Sequence, residues 1–180
     1  MHIQTDISDV FHEVRWREAR ATDAPALRAM FYRLSRESIY NWLCIGAPHA
    51  PQFAERLAFY ALGDGTSQSA VAAFAHDTII GIACFVRSDC QADIAAVVED
   101  TWQGRTVGKR MLHHLAELAR GRGVTTFTAD VMAQNQRAVR LLNAVFTQID
   151  GTWSYGSGHL IMPLVSLRPN LPRLLPSCRM

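Results

Sequence analysis

Paired cysteine spacing is missing from this sequence. The four cysteines stand at Cys44, Cys84, Cys90 and Cys178 with no C-x-x-C pair. That excludes a zinc finger or ribbon and points to free thiols in a reducing compartment, so a cytoplasmic protein is expected. No apolar run approaches the roughly 18 residues that cross a bilayer. Met1 to Glu13 is polar and has no apolar segment of the signal-peptide kind. No membrane association is therefore expected. Charge of one sign is also lacking: 18 Lys and Arg stand against 16 Asp and Glu, a net +2. This leaves no basic surface on the scale that nucleic acid requires. Repeats and low-complexity segments are absent. With 180 residues, 49% hydrophobic and 19% charged, the chain has the length for one domain with a proper core and is too apolar to be disordered.

The most informative stretch present is Val97-Val98-Glu99-Asp100-Thr101-Trp102-Gln103-Gly104-Arg105-Thr106-Val107-Gly108-Lys109. An apolar β-branched run passes through a loop with two glycines into a helix expected to reach about Arg122. The first N–H groups of such a helix have no intrahelical partner, and its dipole places partial positive charge there. Glycine lets the backbone approach an anion closely. Arg105, Lys109 and Arg110 add full charges, so the turn reads as a phosphate site.

The other elements can be placed around it. Val14 to Arg20 partly alternates and reads as a first strand. Thr22 reads as an N-cap, with Asp23 in the first turn and Pro25 near the helix start. Leu27, Met30, Phe31 and Leu34 make one apolar stripe of that helix. Ser35 caps a second helix carrying Ser38, Ile39, Trp42 and Leu43. A further helix is expected from Gln52 to Leu62. Strands are expected at Ala70 to Ala75, Thr78 to Arg87 and Ala92 to Glu99. Their tight connections, His76-Asp77 and Ser88-Asp89, predict an antiparallel meander. Val124 to Val131 reads as a strand and Asn135 to Val145 as a helix. Thr147 to Tyr155 with His159 to Val165 reads as a final hairpin. The organisation expected is an arm over 1–13, one domain over 14–166 and a proline-containing extended tail over 167–180.

Gln103-Gly104-Arg105-Thr106-Val107-Gly108 resembles the acyl-CoA-binding signature of the GNAT acetyltransferases, Gln/Arg-x-x-Gly-x-Gly/Ala. Thr106 stands where the first signature glycine would. A side chain there crowds the pyrophosphate or shifts the turn, and Gly104 returns part of the lost freedom. The element order over Val14 to Val165 is also that of the GNAT fold. Within the family the pattern is most similar to bacterial protein lysine acetyltransferases. Arg15-x-Arg17 and Asp23, Phe31 to Ser38, Asp93 to Gly104 and Asn135 carry that likeness. The resemblance implies an α/β (α+β) fold: a mixed sheet of about seven strands, flanking helices, and fourth and fifth strands that splay apart. It implies acetyl-CoA as co-substrate. Ala96, Val97, Val98, Gln103, Gly104, Arg105, Thr106, Val107, Gly108, Lys109 and Asn135 would bind it, with the backbone N–H of Val97 or Val98 on the thioester carbonyl.

Transfer of an acyl group to an amine needs a positioned thioester, a polarised carbonyl and an amine that has lost a proton. Neither a metal nor a covalent nucleophile is required. Three carboxylates are candidates for the base. Asp93 aligns with the family's fourth-strand glutamate. It is one methylene shorter and would act through a water, and burial between Ala92 and Ile94 would raise its pKa. Asp130, five residues before Asn135, is the rival. Glu99 reads as structural. Many relatives place a proton-donating tyrosine seven residues after the asparagine; here that position is Leu142. Tyr155 substitutes only if the last hairpin folds over the cleft. His113, His114 and Glu117 read as a solvated helix face, Cys84 and Cys90 as buried small hydrophobes, and Trp42 and Trp102 as core or rim.

The sequence thus predicts an N-acetyltransferase acting by direct attack in a ternary complex. The expected acceptor is a protein lysine or, alternatively, a small-molecule amine. Thr106 and Leu142 also keep open a non-catalytic acyl-CoA-binding module. A monomer or homodimer is expected.

Overall fold

A computed structural model of the chain describes residues 14–44, 54, 55, 58 and 61–169. Seven strands form one sheet in the order β1-β2-β3-β4-β5-β7-β6. They are β1 (Val14–Glu18), β2 (Gln68–Ala75), β3 (Thr78–Ser88), β4 (Gln91–Val98), β5 (Thr126–Met132), β6 (Asp150–Ser154) and β7 (Ser157–Pro163). The helices are α1 (Ala24–Arg33), α2 (Arg36–Leu43), α3 (Val107–Arg120) and α4 (Gln136–Val145). The expected meander is present, since β2 pairs antiparallel with β3 and β3 with β4. Most of the helix expected from Gln52 lies outside the described residues, but Ala54, Glu55, Ala58, Ala61 and Leu62 are helical. The arm and all but the start of the tail also lie outside. Of the tail, Arg168 N–H bonds to Val145 O at 2.8 Å and Leu167 bridges Phe146.

Strand residues alternate between two faces, and each face meets its own core. On one, Ala92, Ile94, Phe127, Ala129, Leu160 and Met162 pack with Val107, Met111, Leu112 and Leu115 of α3 and with Leu142 and Val145 of α4. On the other, Val97, Ile82, Phe74 and Ala72 pack under Leu27, Met30 and Phe31 of α1 and Ile39 and Trp42 of α2. Two readings need correction. The turn before α1 is tied by Asp23 and not by Thr22. Asp23 accepts from Arg17 at 2.7 and 2.8 Å and from Arg20 N–H at 2.8 Å, while Thr22 sits in a 3-10 turn. His113 is only 2% exposed, so of the three residues read as a solvated face only His114 and Glu117 are exposed.

The fourth and fifth strands separate. They run parallel and pair only at Gln91↔Thr126, Ala92↔Phe127 and Asp93↔Thr128. Beyond Asp93 the two strands diverge and a gap opens between them, bounded at its far end by the start of α3.

Candidate active site

The ladder decides which β4 groups face this gap. Glu99 N–H bonds to Ile80 O at 2.8 Å, and the pairing continues through Gly81↔Val98 and Ile82↔Val97. In an antiparallel pair, hydrogen-bonded and non-bonded positions alternate. The Val97 amide is therefore turned to β3, while the amides of Val98 and Ala96 turn away from it into the gap. Of the two expected carbonyl donors, Val98 has the available N–H and Val97 does not.

The turn from Gln103 to Lys109 leaves backbone donors without a partner at the start of α3. Thr106 is the N-cap of α3, but its side chain caps nothing, and no acidic residue stands in the first turn. The leading N–H groups of a 14-residue helix are thus left for an external anion. Arg105 lies over the Trp102 ring, 5.4 Å from its centroid, and Arg110 lies over Trp16 at the same distance. Gly108 has a packing reason: a Cβ there would meet Leu141 at 3.2 Å and Val98 at 3.6 Å. Gly108 thereby lets α3 sit close to α4 and β4.

Thr106 keeps the backbone conformation of a glycine, with φ +64°. For a β-branched residue this left-handed conformation is strained. Thr106→Gly is expected to raise stability by about 1 kcal/mol and to tighten CoA binding, because the turn needs no rearrangement to lose the side chain. Chemical melts with and without CoA check both. Unchanged stability and affinity would show that the turn accommodates threonine without cost.

Gln103 acts as a clasp. Its Nε2 donates to Val98 O at 2.9 Å and to Ser38 Oγ at 3.1 Å, and its Oε1 accepts from Arg137 at 2.8 Å. Asn135 caps α4, its Oδ1 accepting from Ala138 N–H at 3.1 Å. Neighbouring groups lock the same corner. Arg33 donates to Glu99 at 3.0 Å, which makes Glu99 structural. Asp100 accepts from Ser35 N–H at 2.9 Å, Ser35 Oγ at 2.7 Å and Ser38 Oγ at 2.8 Å. The segments Phe31 to Ser38 and Asp93 to Gly104, remote in sequence, are one bonded unit.

Asp93 and Asp130 project from the face opposite α3 and α4. Asp93 is exposed on its strand, and partial desolvation by the neighbouring strands is the first cause that raises its pKa. Repulsion from Asp130 adds to it, while a hydrogen bond from Thr128 Oγ1 at 3.3 Å opposes it. Asp130 Oδ1 lies 2.9 Å from His159 Nδ1, a partner that sequence reasoning missed. The available signal was the alternation of Leu160 and Met162, which puts His159 and Ile161 on the opposite face. Tyr155 does not fold over the cleft; it is fully exposed at the β6–β7 turn. Cys84 has its thiol pushed up to about 11 by burial, whereas Cys90 is exposed and not the buried small hydrophobe expected. Trp42 is core and Trp102 is rim, as read. Among the described residues no group of three metal-ligating side chains comes together, and no helix is long and apolar enough to cross a membrane.

The family model described as the acetyltransferase (GNAT) family matches residues 32–146. No curated protein matches the sequence. The GNAT domain of Streptomyces lividans PAT is a similar solved structure, with TM-score 0.73 and 23% identity over 83% of this chain and 90% of that one. The yncA protein of Salmonella typhimurium, solved with acetyl-CoA, has TM-score 0.63 and 18% identity over 84% and 94%. Spermidine N-acetyltransferase from Vibrio cholerae, solved with CoA and spermine, has TM-score 0.63 and 10% identity over 86% and 98%. At these identities the structures establish the fold. The family model spans more than half of the chain and carries the signature turn, and on that ground this protein belongs to the GNAT acetyltransferase family.

Proposed function

We propose that the protein transfers the acetyl group of acetyl-CoA to the side-chain amine of a lysine in another protein, by direct attack in a ternary complex. The observation that carries the choice of acceptor is the face of β5, β7 and β6 that no described helix covers. Thr128, Asp130, Met132, Ser157, His159 and Ile161 point there, and none is buried. With Asp93 and Asp150, the face holds, among the described residues, three carboxylates and no Lys or Arg. Exposed Val86 and Ile161 add apolar surface beside them. A small amine favours an enclosed pocket. An open acidic floor suits a cationic side chain delivered on a protein surface.

In this reading the CoA pyrophosphate rests on the first turn of α3, among Arg105, Thr106, Val107, Gly108 and Lys109, with Gly104 leading in. The pantetheine lies in the gap against Ala96, Val97 and Val98, and the Val98 or Ala96 N–H polarises the carbonyl. Gln103 and Asn135 hold the two sides of the gap. The lysine arrives as an ammonium, since its ordinary pKa is about 10.4. Asp93, at the vertex of the gap, takes its proton, and the free amine attacks.

Acetyl-CoA at 100 times its Kd is expected to stabilise the fold by about 2.7 kcal/mol. A turnover panel of small amines, polyamines and lysine-containing proteins then tests the acceptor. An unchanged Tm at millimolar acetyl-CoA would remove the cofactor site. Faster transfer to a small amine than to any protein would assign the acceptor to that class instead.

A further inference from the structure

The open face carries a side-chain pair that deprotonation of the amine does not need. Asp130 and His159 sit opposite one another on β5 and β7, with Oδ1 and Nδ1 2.9 Å apart. We propose that His159 is the catalytic acid that protonates the departing thiolate of CoA, and that Asp130 is the residue that positions it. The proposal rests on the acetyl-transfer reading above.

Three observations support it. The helix position from which many relatives supply a tyrosine is Leu142, whose apolar side chain is buried in the α4 core, so α4 offers no proton there. β5 is the wall of the gap facing β4, and Asp130 stands two residues beyond Thr128, where the strands part. The carboxylate also fixes the ring. By taking the Nδ1–H it leaves Nε2 as the site of the transferable proton. Asp93 and His159 interact electrostatically, and β5 alone lies between their two strands. The other groups facing this pair are Asp150 and Thr152 on β6 and Cys44 at the end of α2, whose Sγ reaches Asp130 O at 3.7 Å.

The step balances. After one ammonium proton has passed to Asp93, the amine nitrogen forms a bond to the carbonyl carbon. The C–S bond breaks and its electron pair leaves on sulfur. The Nε2 proton of His159 goes to that sulfur, giving the CoA thiol. The second proton of the attacking nitrogen returns to Nε2 as the amide forms, and Asp93 releases its proton to solvent. An ordinary thiol holds a proton more tightly than an ordinary imidazole, so the transfer to sulfur is downhill.

The test is release of CoA thiol across pH, with acetyl-CoA and a lysine-rich protein as substrates. His159→Gln is expected to lower kcat about 10²-fold, the lower end for an acid–base group because a thiolate leaves readily. It should also abolish the alkaline fall of the rate, while the Tm shift given by acetyl-CoA stays as in the wild type. Asp130→Asn keeps the imidazole but loses the carboxylate that holds its Nδ1, so kcat should fall in the same direction while the Tm shift given by acetyl-CoA stays. A purely structural pair would lower Tm without a selective loss of kcat. The proposal is overturned if His159→Gln keeps both the alkaline fall and a kcat within twofold of the wild type. If the wild type transfers to no amine, the acetyl-transfer reading fails and this one fails with it.

Discussion

Asp93→Asn is expected to lower kcat by about 10²–10⁴, the usual worth of a general base, with acetyl-CoA affinity nearly unchanged. Asparagine keeps the size of the side chain and cannot accept a proton. The sign of the pH dependence follows from the raised pKa of Asp93, caused first by burial and then by Asp130. The group must be ionised to act, so the wild-type rate rises as pH passes through that raised value. The same shift has a stability consequence. A carboxyl with a raised folded pKa favours the fold when protonated, and this contribution is lost as pH rises through the folded value. At neutral pH Asp93 is thus a burden on the fold, and the asparagine variant should melt no lower than the wild type. Steady-state kinetics and a thermal melt on the same preparation decide the matter. An active variant, or an inactive one that is also unstable, would remove Asp93 as the base.

Asp100→Ala is expected to cost about 2 kcal/mol of stability and to weaken acetyl-CoA binding in the same protein. Three donors lose their acceptor, and bonds to a charged group are worth about 1.5–3 kcal/mol. Burial works to raise the Asp100 pKa, but the bonds from Ser35 and Ser38 outweigh it and hold the carboxyl below its ordinary range. Stability from a lowered pKa is present above the ordinary carboxylate range and is lost as pH falls through the folded value. The deficit of the variant should therefore be full at neutral pH and shrink in acid. Binding should weaken because Asp100 ties the start of the loop to α2, and the segment that leads to the first turn of α3, the proposed cofactor site, is freed. Denaturant melts at neutral and acid pH, with CoA titrations, measure both effects. A stable variant with wild-type affinity would show that Gln103 and Arg33 hold the corner without it.

Local pattern carried much of the fold. The apolar stripe of Leu27, Met30, Phe31 and Leu34 needs only helical spacing. The meander from Gln68 to Val98 needs only alternation and two short turns. The turn before α3 was legible as a candidate anion site because its features are consecutive in sequence: a strand, two glycines, a helix start and nearby cations. Thr106 was legible as a departure, but its positive φ was not, because only the packed ends of the turn impose it.

The sequence by itself determined the strand and helix order, the position of the glycine-containing turn before α3 and the absence of a tyrosine at Leu142, since each follows from residues within one or two turns of chain. Tertiary structure decided the rest. Which amide faces the gap, Val97 or Val98, is set by the register of β4 on β3. The bond from Asp130 to His159 spans 29 residues, and the ties from Ser35 to Asp100 and from Ser38 to Gln103 span 65 each. These contacts depend on strand register and on the crossing of α1 and α2 over the sheet. Such long-range geometry is fixed when the two cores pack, and no local periodicity encodes it.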